Sequence, residues 1–480
     1  KNKEALNSSY LRDTYLRLAD SYFANSNYWP ALETYNLAIS LSKNDKSYYS
    51  EFQKALSYGF LEKYDQKIDV LKNLSSNEKK HYLVDKALFE LGQTYSQIKE
   101  YNKAINVYED LIQRFPKRNY TGKAMLNKGL ILFNLENLDE SENILKVVVE
   151  KYRNDRITSQ ALNTLKEIAI EQGSVSEFSD WLILQKIDLF TEGDLASSSF
   201  EAAEKFYYEK KYKQAKKQIE EFILRYPAYP EVTTLKYYLA DIFFKDNDWE
   251  NALNVYNQIL SLPFNEFTER SNLNAVLASQ NLGLSEQLVP LLLNLIEIST
   301  YEENIKFARY SLMKAYYDLD KYSDSKLLAN EILSEENLDS TIRWDALEIS
   351  AYSLIKLKDS LGAAKMFYEL EKSPKILLAS KAKYFRAYTL HKSGDYKQSN
   401  KVISELSKIY GDTKEWGPKS ILLMAKNFNR INDDFQAIYL LESLIDNFEN
   451  YPSIVDEARR ELEKIKNLAS NNNSSMKEIN

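Results

Sequence analysis

Apolar residues recur along this chain at steps of three and four, interrupted by short polar turns. In "LGQTYSQIKEYNKAINVYEDLIQRFP", Leu91 to Pro116, they are Leu91, Tyr95 and Ile98 before Lys99-Glu100. After it come Tyr101, Ala104, Ile105, Tyr108, Leu111 and Ile112. That spacing predicts two amphipathic helices joined by a tight turn, with Pro116 ending the second. A hairpin of this size cannot bury its own apolar faces. The same pattern returns about 37 residues on, in "KGLILFNLENLDESENILKVVVEKY", and the same distance back, in "KALSYGFLEKYDQKIDVLKNL". One more step back gives "LADSYFANSNYWPALETYNLAI". A period of this length predicts stacked hairpins, each covering its neighbour.

Small residues mark the phase. In successive first helices the position holds Ala19, Ala55, Gly92, Gly129, Lys166, Ala203, Ala240, Asn274, Met313, Ala351, Ala387 and Ala425. Its partner in the second helices is Ala31, Lys67, Ala104, Ser141, Phe178, Ala215, Ala252, Glu286, Ser325, Ala363, Ser399 and Ala437. Nine of twelve in each series are Ala, Gly or Ser, so the two backbones approach closely there. Between them stands a bulky residue such as Tyr22, Tyr58, Tyr95, Leu132, Phe206 or Phe243, with Leu277 in the eighth hairpin and Ala169 the exception in the fifth.

Leu91-Gly92, Tyr95, Tyr101, Ala104, Tyr108 and Pro116 resemble the tetratricopeptide repeat (TPR) signature, as do Leu239-Ala240, Trp249, Ala252 and Tyr256. The resemblance covers about residues 8–452. It implies an all-α, right-handed superhelical solenoid of about twelve TPR hairpins with a C-terminal capping helix. Most steps here run 36 to 38 residues, longer than the family norm, and the extra residues fall in linkers such as "RFPKRNYTGKA" and "RYPAYPEVTTL". Those linkers resemble TPR proteins of the bacterial envelope, of the outer-membrane assembly and Tol–Pal kind.

The expected organisation is repeats 1–5 over 8–190, repeats 6–7 over 191–265, an irregular eighth repeat over 266–304, and repeats 9–12 over 305–452. A capping helix follows over 453–469 and a disordered tail over 470–480. Two places disturb the pattern. Near Lys166 and Phe178 both small residues are lost and "EQGSVSEFSDW" replaces the tight turn. In the eighth repeat the spacing shifts and Pro290 stands inside a second helix, to kink it or delay its start, which would change the superhelical pitch.

Composition removes several function classes. Net charge is −7, so no global field favours nucleic acid or an anionic membrane. The Lys–Tyr run "KFYYEKKYKQAKK" places Phe206, Tyr212 and Ala215 in structural register and its lysines on the turn and outer face. No apolar run reaches the ~20 residues that span a bilayer. Cysteine is absent, and the two histidines, His81 and His391, lack second ligands at helical spacing, so neither thiol chemistry nor zinc is expected. No glycine-rich phosphate loop is present. Glu302-Glu303 and Glu335-Glu336 read as solvated hairpin ends rather than acid/base pairs. No catalytic residue and no cofactor is expected. The opening Lys1 is expected to be a processed or excised end.

What remains is a surface. The TPR resemblance implies that first helices line a concave groove. Counting three before, one after and four after each small residue gives the expected partner-binding groove: Tyr207, Tyr237, Asp241, Phe244, Tyr310, Lys314, Tyr317, Tyr352, Tyr384, Tyr388, His391 and Lys426. Tyrosine is a frequent binding hot spot, large, rigid and half polar. The expected function is therefore a non-enzymatic scaffold for a protein or peptide partner, periplasmic and outer-membrane associated within a larger envelope complex. The alternative is a substrate-recruiting arm of a larger enzyme with an N-terminal catalytic domain. A cytoplasmic co-chaperone would need a basic clamp, of which Lys426, Asn429 and Arg430 form a fragment.

Overall fold

The computed structural model describes residues 2–42, 47–76, 82–153, 156–406 and 413–477. Among them the regular structure is helical, without strands. The helices are α1 (Asn2–Ala24), α2 (Tyr28–Ser40), α3 (Tyr48–Phe60), α4 (Tyr64–Ser75), α5 (Val84–Gln97), α6 (Tyr101–Arg114), α7 (Thr121–Asn134) and α8 (Leu138–Lys151). There follow α9 (Arg156–Gln172), α10 (Val175–Gln185), α11 (Glu192–Tyr208), α12 (Tyr212–Arg225), α13 (Glu231–Lys245), α14 (Trp249–Leu260), α15 (Thr268–Leu282) and α16 (Ser285–Ile298). The rest are α17 (Glu302–Asp318), α18 (Tyr322–Leu333), α19 (Ser340–Lys356), α20 (Ser360–Leu370), α21 (Ile376–Lys392), α22 (Tyr396–Leu406), α23 (Trp416–Arg430), α24 (Asp434–Asn447) and α25 (Pro452–Lys477). Contacts divide the chain into two units, residues 1–235 and 236–480, the division falling inside α13.

The turn inside each hairpin has one geometry. A single left-handed residue ends every first helix: Ser26, Glu62, Lys99, Glu136, Gly173, Lys210, Asn247, Gly283, Asp320, Lys358, Gly394 and Asn432. The next amide reaches back five residues to a carbonyl, as in Glu100 to Tyr95, Ser174 to Ala169 and Leu284 to Ser279, at 2.8 to 3.0 Å. This double-wrapped end satisfies carbonyls that the helix leaves orphaned. The fifth hairpin keeps it, so the expected loss of the tight turn at "EQGSVSEFSDW" does not occur.

The same turns fix the register. The small residue lies seven positions before each left-handed residue, and counting back from Gly283 gives Val276 rather than Asn274. Ser279 then replaces Leu277 as the residue before the turn, and Leu288 replaces Glu286 in the second helix. Val276 and Leu288 are buried, whereas Glu286 is exposed. The eighth repeat is thus spaced like the others. Pro290 does not delay α16, which starts at Ser285; it sits one turn in on the exposed side, where the carbonyl it frees meets water.

The small residues perform the expected close crossing. Ala19, Ala31, Ala104, Ala203, Ala215, Ala240, Ala252, Ala351, Ala363, Ala387, Ala425 and Ala437 are wholly buried. A Cβ added to Gly92 would stand 2.5 Å from Tyr108 Cε1. Where the second position is serine, its hydroxyl bonds the carbonyl of the first: Ser141 to Gly129 at 2.8 Å, Ser325 to Met313 at 2.9 Å, Ser399 to Ala387 at 2.8 Å. The exceptions are compensated. Lys67 lies along Gly59 and pairs with Glu90 at 3.4 Å. Phe178 is buried against Trp181 and Phe190, which the linker after the short α10 brings back.

The longer linkers also share one device. Phe115, Tyr152, Tyr226 and Phe448 end their second helices with φ between −123° and −131°, each amide bonded to the carbonyl four residues back. The aromatic ring plugs the hairpin end and the chain turns there. At the C-terminus, Ile454, Val455, Ala458 and Ile465 of α25 share a core with Leu441 and Leu444 of α24. Helical backbone continues to Lys477, past the expected limit at 469, because no Gly or Pro follows Pro452 to stop it; residues 478–480 lie outside the described residues.

Most of the left-handed turn residues carry a side chain, at a strain of ~1 kcal/mol or more each. Lys99→Gly relieves that strain against a smaller gain in unfolded-chain entropy. It is expected to raise stability by ~0.5 to 1 kcal/mol, read as a higher urea midpoint; a lowered midpoint would contradict the turn geometry at φ +64°.

Candidate functional site

Eleven of the twelve expected groove residues belong to the second unit and one, Tyr207, to the first. All twelve are half-buried. Tyr207 meets Tyr208 edge-on at 5.4 Å. On α13, Tyr237 stacks on Phe267 at 4.8 Å, Asp241 pairs with Lys245 one turn on, and Phe244 meets Trp249 edge-on at 4.9 Å. The corrected register adds Leu273, Leu277 and Gln280 on α15 at the corresponding places, two apolar residues and one exposed amide.

From α17 to α25 the face is laced by ion pairs between neighbouring first helices. Lys314 reaches Asp345 at 2.9 Å, and Asp345 also accepts from the Tyr310 hydroxyl. Glu348 pairs with Lys381 at 2.6 Å, and Lys426 with Glu457 of α25 at 2.5 Å. The ammonium of Lys314 lies 4.3 Å from the Tyr310 ring centre, that of Lys381 5.1 Å from the Tyr352 ring centre. Burial works to raise the Asp345 carboxyl, but its bonds to Tyr310 and Lys314 outweigh it and hold the group below its ordinary value. Burial likewise lowers Lys314, and Tyr310 and Asp345 outweigh it in the other direction. Burial, with Tyr388, Glu457 and Glu415 nearby, pushes the Tyr384 hydroxyl up to about 12; burial together with the neighbouring Glu348 does the same to Tyr352 against the opposing pull of Lys381.

Aromatic rings fill the spaces between these pairs. Tyr352 meets Phe385 edge-on at 5.2 Å. Tyr384 lies 5.5 Å from Trp416 and stacks at 6.3 Å on Tyr388. Tyr317 meets Tyr322 at 5.6 Å. Tyr384 and Tyr388 both pack against the core beneath, so they are structural as well as surface groups. His391 Nδ1 lies 2.6 Å from Asn427 Oδ1. Asn427 Nδ2 already donates to Ser399 at 2.8 Å and Asn400 at 2.7 Å, so Oδ1 accepts and His391 carries its proton on Nδ1. His81 lies outside the described residues.

Asp345, Lys381, Trp416 and Glu457 were not among the expected residues. A charge of opposite sign 31 to 33 residues beyond Lys314, Glu348 and Lys426 is the signal that marks three of them. A cavity of about 240 Å³ lies among His391, Lys426, Asn429, Arg430 and Glu461. Its lysine is held by Glu457, so the fragment of a basic clamp presents no free ammonium at Lys426. Glu302 and Glu335 are paired with Lys306 at 2.8 Å and Arg309 at 2.5 Å, which places them as hairpin-end ion pairs. Among the described residues no three His, Cys, Asp or Glu side chains cluster as metal ligands, and no helix is long and apolar enough to cross a membrane.

Two family patterns, each described as a tetratricopeptide repeat, match residues 86–118 and 200–265. No curated protein matches the sequence. Among solved structures, a Naa15/Naa10 structure bound to HypK-THB is similar at 12% identity, covering 95% of this chain and 79% of that one, with a TM-score of 0.38. A tetratricopeptide repeat protein from Parabacteroides merdae is similar at 16% identity over 55% of this chain and 98% of that one, with a TM-score of 0.29.

The Lys314–Asp345 pair makes stability depend on pH. The depressed carboxyl contributes stability that is present above its unfolded value near ~4 and is lost as pH falls through its folded value. Asp345→Asn is expected to lower the melting temperature at pH 7, by an amount within the ~1 kcal/mol of a half-exposed pair. The gap to the native protein should close below pH ~4 in melting curves; a gap that persists at low pH would assign the loss to packing instead.

Proposed function

Because the chain is a tetratricopeptide repeat protein, we propose that it is a non-enzymatic interaction scaffold, with a protein partner held along the first-helix face of the second unit. The observation that supports this is the half-exposed aromatic series Tyr317, Tyr352, Tyr384, Tyr388 and Trp416, set between ion pairs that satisfy the charges around it. Rigid rings with one polar tip give contact area at low entropic cost. An extended peptide or a partner helix crossing successive first helices would meet at least one such ring on each of α17, α19, α21 and α23. The setting we assign is the bacterial cell envelope, periplasmic and near the outer membrane, as part of a larger complex. It is supported by the long aromatic linkers, whose shared capped turn is a regular feature of this chain.

Photo-crosslinking in the native cell tests the site. A benzoylphenylalanine placed at Tyr317 or Tyr388 should trap a discrete protein species, absent when the label is placed on the outward position Lys213 of α12. Tyr317→Ala with Tyr388→Ala should weaken capture of that species at least ~10-fold with the melting temperature still cooperative. Equal trapping from both faces would overturn the assignment.

A further inference from the structure

The second helices of the second unit present a different kind of surface. With 100° per residue, positions two before, two after and five after the packing residue all point away from the first helices. On α16, α18 and α20 those positions expose apolar side chains: Leu293 (47%), Leu327 (60%), Leu361 (74%) and Tyr368 (52%). A groove of about 400 Å³ opens between α18 and α20, lined by Leu333, Trp344 and Met366 together with Arg343, Glu369 and Lys372. Scattered exposed leucines are ordinary; four apolar side chains on three consecutive second helices, each at one of these outward positions, are a stripe, which α22 interrupts before Phe435 (78%) and Tyr439 (63%) of α24.

The charges at the same outward positions are graded. On α16 they are Glu286 and nearby Glu297; on α18 they are uncharged, Ser323 and Asn330. On α20 comes Lys365, and on α22 Lys397 and Lys401. Glu286, Glu297, Lys397 and Lys401 are exposed and have no ion-pair partner among the described residues, in contrast to the paired charges of the first-helix face.

We infer that this outer face of the second unit binds the same face of a second copy of the chain. A twofold axis through the groove between α18 and α20 sets α18 against α20 of the other copy and α16 against its α22. Leu327 then meets Leu361 and Tyr368, and Glu286 and Glu297 meet Lys397 and Lys401. An isologous interface requires this self-complementarity, an apolar centre with opposite charges at equal distances from the axis.

Sedimentation equilibrium of the full chain tests it. The native protein should show a monomer–dimer equilibrium that weakens with salt. Leu327→Glu with Leu361→Glu, at positions that touch no core, should weaken dimerisation at least ~10-fold while the helical signal and melting temperature hold. Glu286→Lys with Glu297→Lys should weaken it as well, by setting like charges across the axis. Adding Lys397→Glu and Lys401→Glu to that variant should restore it. A protein that stays monomeric at ~50 μM, a dimer indifferent to the leucine changes, or a charge reversal without rescue would each overturn the inference; so would capture of a different protein by this face of a monomeric chain.

Discussion

Everything in this chain depends on how closely the two helices of a hairpin cross. Alanine, glycine or serine at both crossing positions lets the backbones approach until a serine hydroxyl reaches the opposite carbonyl at 2.8 to 2.9 Å. The approach sets the length of the turn, and a turn this short needs one left-handed residue. Gly92 shows how little room is left, since a single added carbon would collide with the Tyr108 ring. Where the rule is broken, the neighbours change with it. Gly59 makes way for the stem of Lys67, and Phe190 is returned by a longer linker to cover Phe178.

The electrostatics follow from that spacing. First helices of adjacent repeats lie near enough for a side chain on one to reach a charge on the next, and Lys314, Glu348 and Lys426 each do so. Each such pair is a quarter to nearly half exposed, where an ion pair contributes at most ~1 kcal/mol. Their effect is on register rather than on total stability. A repeat displaced by one residue would lose its partners and set rings where charges belong. Hydrophobic burial holds the stack together; the pairs select which stacking is adopted.

The repeat length, the two small positions, the Pro- and aromatic-rich linkers and the closing helix were legible in the sequence because backbone approach leaves only small residues acceptable. The eighth repeat was misread by two positions for a physical reason. In α16 Leu288, Val289, Leu291, Leu292, Leu293, Leu295 and Ile296 are apolar around much of the helix, so periodicity alone does not fix its phase. Gly283 fixes it, as the left-handed residue of the turn. Asn274 was mistaken for a crossing residue, but its amide bonds the Tyr256 hydroxyl at 2.9 Å, the same tie that Asn127 makes to Tyr108 at 3.2 Å. The degree of burial of the groove tyrosines was not readable. It depends on Phe385 and Trp416, which arrive from positions that carry no repeat signature.

A partner that enters along the first-helix face therefore meets few unsatisfied charges. Breaking Lys314 from Asp345 or Lys381 from Glu348 would return to each ion only what a new pair supplies, with desolvation added. A highly charged partner gains little there, and one that leaves either ion unpaired loses more than it gains. Aromatic contact carries the affinity, and the paired charges act as a filter on what lies beside it. This is consistent with a face whose rings are half-buried before any partner arrives. Rings already held by Phe385 and Trp416 lose little freedom on binding, so a modest contact area can serve.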